Sequence, residues 1–178
     1  MNEPIELHAY DPGWPAAFAR EKARIVPLFP VPPLLVEHMG STAIPGLDAK
    51  PVIDIIVLAE RLEQARAAIP PLEATGYSFW AENPDKTKFF LAKGLPPAPR
   101  RTYHLHIYGD ADEVRRHLVF RDHLRASAEA RAAYLRLKAE LAGRFRDDRD
   151  AYSRHKSGFI DEVVRALGGP QRSQPYDP

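Results

Sequence analysis

The chain has 178 residues, of which 44% are hydrophobic and 28% charged, and its net charge is +1. That length and composition suit one globular domain with a sizeable core, and the near-neutral balance offers no general field for gripping nucleic acid or a membrane surface. The absence of cysteine excludes disulfides, thiolate metal sites and cysteine nucleophiles, and is compatible with the reducing cytoplasm expected as its location.

The opening MNEPIELHAY lacks a basic segment followed by an apolar one, and no apolar run approaches bilayer length, so neither a signal peptide nor a spanning helix is expected. Ile5 to Ala9 suits a short edge strand. Asp11-Pro12-Gly13 is a turn, and Trp14-Pro15 begins a helix predicted to run to about Phe29, with Pro15 in the first turn and Phe18, Ile25 and Leu28 on the core face. Trp14 is expected to anchor that helix rather than stack a base.

The stretch Leu34 to Leu58, LLVEHMGSTAIPGLDAKPVIDIIVL, carries the chemistry. An apolar run, Leu34 to Val36, is a strand signal. A polar corner from His38 to Thr42 contains Gly40, which permits a tight or left-handed turn, and Ser41 and Thr42, which can cap a short helix or turn after it. A second apolar run, Pro51 to Leu58, is interrupted by Asp54 among Val52, Ile53, Ile55, Ile56 and Val57. A carboxylate there is costly to bury without a partner. Lys50 returns toward the same end of the sheet. Strand, Gly-Ser corner and carboxylate-bearing strand outline a nucleotide–metal site; the plainer alternative is a strand–turn–strand connection whose carboxylate caps a neighbouring backbone. His38 could bind phosphate or metal, or simply end its strand.

ERLEQARAAI after Leu58 has helical periodicity, which Pro70-Pro71 is expected to kink or break. Tyr77 to Ala81 and Lys86 to Lys93 are strand candidates, and Leu95 to Arg100 is a proline-rich loop. Tyr103 to Tyr108 alternates His104, His106 and Tyr108 against Leu105 and Ile107, a half-buried strand pattern. Three helices complete the chain: from Asp110 or Asp112 to about Ala126, from Ser127 to about Phe145, and from Asp148–Asp150 to about Leu167, where Gly168-Gly169-Pro170 ends the last. Their many arginines are interleaved with acids, which predicts a solvated face rather than a nucleic-acid stripe. Strands first and helices last indicate an α+β domain over 1–170, a mixed sheet flanked by helices with a helical C-terminal layer, and then a loose polar tail over 171–178.

Several of these pieces together resemble one family. HMGSTAIPGLDAKPVIDIIV (His38 to Val57), YDPGWP (Tyr10 to Pro15), RTYHLHIYG (Arg101 to Gly109), HLVFRDHLRAS (His117 to Ser127) and YSRHKSGFI (Tyr152 to Ile160) resemble the GrpB-like family, a branch of the nucleotidyltransferase superfamily with a polymerase-β-type fold. The resemblance covers nearly the whole chain. It implies a Gly-Ser corner followed by a strand with two alternating carboxylates, and a third carboxylate on a later strand. Gly40-Ser41 and Asp54 match; the second carboxylate position falls on Ile56.

On this basis Gly40, Ser41, Thr42, Lys50 and Lys156 are the nucleotide or phosphate candidates, with Asp54 and Lys50 as catalytic candidates. Strand period puts His104 and His106 on one face, and the resemblance puts their strand beside that of Asp54, which makes Asp54, His104 and His106 a mixed oxygen/nitrogen metal set. Such a set suits Mn²⁺, Zn²⁺ or Fe²⁺ better than Mg²⁺, although Mg²⁺ is the usual nucleotide partner. In the alternative, one histidine is a packed residue that hydrogen-bonds Asp54. The functions these residues imply are metal-assisted nucleotidyl transfer, nucleotide- or CoA-related binding without turnover, or metal-dependent hydrolysis. The expected ligand is a nucleotide or another phosphorylated small molecule. No GxxxxGK[ST] phosphate loop occurs.

Overall fold

The computed structural model describes residues 6–95, 98 and 100–173, with the backbone alone at 149 and 150. The elements are α1 (Trp14–Ile25), β1 (Leu35–Met39), β2 (Ile53–Leu58), α2 (Leu62–Ala65), α3 (Ile69–Glu73), β3 (Tyr77–Phe79), β4 (Lys88–Lys93), β5 (Tyr103–Tyr108), α4 (Ala111–Ala126), α5 (Ala128–Arg144) and α6 (Arg149–Ala166). The strands form one five-stranded sheet in the order β1-β2-β5-β4-β3. Only β2 and β5 run parallel; every other neighbouring pair is antiparallel. The fold is the expected mixed sheet flanked by helices.

Alternation along the strands divides the sheet into two unlike faces. Ile53, Ile55 and Val57 of β2, Leu105 and Ile107 of β5 and Phe89 and Leu91 of β4 pack with Trp14, Ile25, Ala68 and Leu72 into the main core. Trp14 is buried there, edge-on to Tyr10, so it anchors α1 as expected. The opposite face carries Asp54, His104 and His106. Ile56 lies on that face too, but toward α4, in an apolar cluster with Met39, Tyr108 and Val114. A third cluster joins the connection after β1 (Ile44, Leu47) to α4, α5 and α6 through Phe120, Leu124, Tyr134 and Val164. The C-terminal helices therefore roof one end of the polar face.

Local signals explain most boundaries. Asp110, Ser127 and Asp148 each accept a backbone amide at the start of a C-terminal helix, from Asp112, Ala130 and Ala151 respectively. Other expectations need correction. Near the N-terminus the expected edge strand is reduced, among described residues, to one bridge between His8 and Ala49, and Ile5 lies outside those residues. The helix from Trp14 ends at Ile25 and continues as a 3-10 turn over Val26–Leu28, because Pro27 supplies no amide to extend it. β1 runs through His38 to Met39, so the corner begins at Gly40. Pro70 and Pro71 do interrupt the predicted helix, since α2 ends at Ala65 and the amides they lack are those that would bond back to Arg66 and Ala67. They open α3, where a proline's missing amide is harmless, after a 3-10 turn at Arg66–Ala68. β3 stops at Phe79 and β4 begins at Lys88. Of the expected tail, residues 174–178 lie outside the described residues.

Candidate functional site

Asp54 faces a cleft of about 580 Å³ bounded by the sheet, the corner after β1 and the C-terminal helices. Parallel pairing of β2 with β5 puts Asp54 directly opposite His104, and Ile56 opposite His106. His104 Nδ1 lies 3.1 Å from Asp54 Oδ1, and His106 Nε2 lies 3.6 Å from the same oxygen. One ligand atom from each of the three residues falls within 4.8 Å of the others.

The remaining nitrogens decide what this trio can hold. His104 Nε2 and both ring nitrogens of His106 are buried without a hydrogen-bond partner. Buried polar atoms are rarely left so. Burial lowers the His106 pKa to about 4 against the opposing pull of Asp54, so the ring is neutral at physiological pH. Burial alone would raise the pKa of Asp54, but the His104 hydrogen bond and the close approach of the His106 ring outweigh it and hold the carboxyl well below the ordinary carboxylate range. An ionised carboxylate beside a neutral imidazole is the protonation state that a metal requires of its ligands. The residues fit a divalent metal, and the mixed donor set favours a borderline transition ion.

The corner is built around Asp54. Gly40 has φ 70°, in the left-handed region. A Cβ there would also press on Asp54 Oδ2 and sit 3.1 Å from Asp54 Cβ, so only glycine lets the corner close over the carboxylate. Ser41 borders the cleft, as does Tyr134. The Thr42 hydroxyl is committed elsewhere. It lies 2.9 Å from His38 Nε2 and donates to Val52 O at 3.4 Å, which makes the imidazole N–H the donor to it. His38 stacks on Phe18 at 4.9 Å, on the α1 side of the sheet. Burial depresses its pKa to about 4. His38 is therefore a packing residue of its strand, which closes the alternative left open by the sequence.

Three lysines also line the cleft, Lys50 from the connection before β2, Lys138 from α5 and Lys156 from α6. Lys50 Nζ and Lys156 Nζ lie 5.3 and 5.2 Å from the ring centre of Tyr152. Lys138 of α5 is 1% exposed, and its ammonium donates to the Asp48 carbonyl. Burial, reinforced by the neighbouring Lys156 charge, lowers the Lys138 pKa to about 7. Burial also lowers that of Lys156, with Asp54 opposing. Among the described residues no carboxylate pairs with Lys138 or Lys156. The sequence signalled Lys50 and Lys156 through the motifs but not Lys138 or Tyr152. One signal for Lys138 was available: Tyr134, Lys138 and Leu141 follow helical spacing, so the lysine sits on the buried stripe of α5. The expectation that the C-terminal cations form a solvated face fails for Arg116, Arg121 and Lys138, all buried. Elsewhere on the sheet, Lys93 pairs with Glu21 on the core side, Lys88 pairs with Asp85, and Arg101 borders the cleft.

The family model for "GrpB protein" matches residues 4–166. The chain belongs to the GrpB family. A UPF0157 protein of Pseudomonas aeruginosa is 43% identical over 166 residues, covering 93% of this chain and 66% of its own length, so the chain spans just under two thirds of that relative. A dephospho-CoA kinase of Mycolicibacterium paratuberculosis is 31% identical over 192 residues, covering 91% of this chain but 46% of the kinase. Among solved structures, GrpB from Enterococcus faecalis superposes with a TM-score of 0.80 at 34% identity, covering 90% of this chain and 96% of its own. Cid1 in complex with its short product ApU superposes with a TM-score of 0.58 at 15% identity, covering 97% of this chain and 54% of its own. At that identity the likeness concerns the fold, which is nucleotidyltransferase-like. Among the described residues no helix is long and apolar enough to cross a membrane.

Proposed function

We propose that this GrpB protein binds a nucleoside polyphosphate together with one divalent transition metal, and transfers the nucleotidyl group to an acceptor. The observation that carries this reading is the convergence of two unlike features in one cleft. One is the Asp54–His104–His106 trio with its unpartnered ring nitrogens. The other is a pair of lysines, Lys138 and Lys156, the first buried and the second half-buried, with no carboxylate partner among the described residues. The trio asks for a cation and the lysines ask for an anion. A metal-bound polyphosphate answers both.

Asp54, His104 and His106 would hold the metal, which when bound supplies Lewis-acid polarisation of a phosphoryl oxygen. The chain's own residues would do the rest. Gly40 and Ser41, with the Thr42 amide, would border the phosphates. Lys50, Lys138 and Lys156 would hold the polyphosphate and offset the negative charge that develops on it. An acceptor hydroxyl attacks the α-phosphorus, the bond from that phosphorus to the bridging oxygen breaks, pyrophosphate leaves toward the lysines, and the acceptor's proton passes to solvent. Ile56 limits the chemistry to one metal, because its position on β2 is filled by a side chain packed against Met39, Tyr108 and Val114. That observation also favours a second reading, a nucleotide sensor that binds without turnover.

Thermal shift with ATP, CoA and dephospho-CoA, each with Mg²⁺, Mn²⁺, Zn²⁺ or no metal, tests binding, since a ligand of the native state raises its melting temperature. CoA and dephospho-CoA belong in the screen because a relative is named a dephospho-CoA kinase. The expected result is a shift with Mn²⁺ and nucleotide together that is absent in Asp54→Asn. A nucleotide shift indifferent to both metal and Asp54 overturns the metal-linked site. Pyrophosphate release from bound ATP then separates transfer from sensing.

A further inference from the structure

The cleft also has an aromatic wall. Trp80 follows β3 and is 47% exposed, the one aromatic residue among the exposed large hydrophobic side chains described. It borders the same cleft as Asp54 and His106. Its amide donates to the Phe90 carbonyl at 3.0 Å, which ties its backbone to β4. The indole meets the Phe90 ring at 6.3 Å and 78°. Phe90 in turn packs against His104 at 5.2 Å and His106 at 5.0 Å. An unbroken line of side chains thus leads from the metal-competent trio to an indole with one side open to the cleft.

The turn that presents this wall is held by its own polar groups. Asn83 Oδ1 accepts the Asp85 amide at 3.1 Å, Asp85 Oδ1 accepts the Thr87 amide at 3.0 Å, and Asp85 pairs with Lys88 at 2.8 Å. The indole is not needed to fix that turn. Single exposed apolar residues are common and mean little alone. Trp80 differs in its placement on the lining of the cleft that holds the trio and the three lysines, one ring beyond Phe90. The order across the sheet is Asp54 on β2, His104 and His106 on β5, Phe90 on β4, then Trp80, which extends β3 beside Phe90. Three interstrand steps separate β2 from β3, about 14 Å in all. A ligand reaching from the lysines past the trio to Trp80 must be elongated, anionic at one end and planar and apolar-faced at the other.

We propose that Trp80, backed by Phe90, is the seat of the nucleobase. This rests on the polyphosphate reading of the same cleft and adds a specificity-determining residue to it. Stacking on an indole accepts any base, because every base has a π face. The protein therefore distinguishes nucleotides from inorganic polyphosphates more than it distinguishes one base from another.

The test compares ATP with inorganic tripolyphosphate, each with Mn²⁺, against the full chain by calorimetry and tryptophan fluorescence. The expected result is that ATP binds about 10-fold more tightly than tripolyphosphate and quenches the emission of Trp80. Trp80→Ala brings ATP to the affinity of tripolyphosphate and leaves the latter unchanged, while Trp80→Phe keeps most of the preference. Its exposed position predicts an unaltered melting temperature for either variant, which calorimetric scanning checks. If the wild-type protein binds both ligands equally, or if Trp80→Ala weakens neither or both alike, the base seat is overturned while the polyphosphate site stands. If the wild-type protein binds neither ligand, the polyphosphate reading falls, and the base seat with it.

Discussion

Two sets of cations are drawn inward along the C-terminal helices, and their surroundings differ. On α4, Arg116 reaches Asp161 at 2.8 Å and Glu113 at 3.3 Å, and Arg121 reaches Glu37 and Asp122, each at 2.8 Å. Arg121 also donates to the His38 carbonyl at 2.9 Å, which locks α4 to β1. On α5 and α6, Lys138 and Lys156 have aromatic rings and, for Lys138, a carbonyl for company, and among the described residues no carboxylate pairs with them. A guanidinium matched by carboxylates is complete and serves the fold. A buried ammonium without one is stable only at a cost, and the most direct physical use for that cost is an anion that arrives later.

The largest expected effect breaks the first set. Arg116→Met leaves buried Glu113 with only its Ser173 donors and Asp161 with only Arg172, and should cost about 3 kcal/mol in urea denaturation. Affinity for polyphosphate in the protein that remains folded should hardly change. Lys138→Met should do the reverse. It removes an uncompensated charge and should stabilise the apo protein, on the order of 2 kcal/mol at pH 7, while weakening polyphosphate binding at least about 10-fold. The pH dependence sharpens this contrast. The folded-state pKa of Lys138 is about 7 against the ordinary lysine value of 10.5. Between those values the unfolded chain binds the extra proton, so this residue makes stability rise with pH across that window. The full penalty is present at and below pH 7 and is gone above 10.5. The gain in Lys138→Met should shrink accordingly. Polyphosphate binding should weaken as pH rises through 7, since only the ammonium form attracts it. A variant that loses stability at pH 7 would show that Lys138 belongs with the arginines.

Legibility divides along the same line. Where one residue's local chemistry sets the outcome, the sequence came close: it offered Asp110 or Asp112, Ser127, and Asp148–Asp150 as helix starts, and β5 with its alternating histidines. Asp54 stood out because a lone charge in a β-branched run has to be explained, and the motif resemblance supplied its neighbours. Period 2 and parallel pairing then assembled the trio. What escaped notice depends on distant partners. That Pro70 and Pro71 would open α3 as well as interrupt the run before it did not show. Arg116 and Arg121 read as solvated because their matching acids, Asp161 and Glu37, are far away in sequence. Lys138 looked like any helical lysine until Tyr134 and Leu141 were seen to share its buried stripe.

The smallest expected effect separates the two residues of the corner that sequence treats alike. Ser41 and Thr42 were both phosphate candidates, yet only Ser41 presents its hydroxyl at the cleft. The Thr42 hydroxyl bridges His38 and Val52 instead. Thr42→Val keeps the shape and the backbone amide but removes the acceptor for the His38 N–H, and an unsatisfied buried donor costs about 1–3 kcal/mol. The variant should melt earlier and still bind polyphosphate as the wild type does. Ser41→Ala should melt near the wild type and bind a few-fold more weakly. If Thr42→Val instead lost affinity with no loss of stability, its side chain would have to turn into the cleft when ligand binds, and the corner would be a moving part rather than a fixed frame around Asp54.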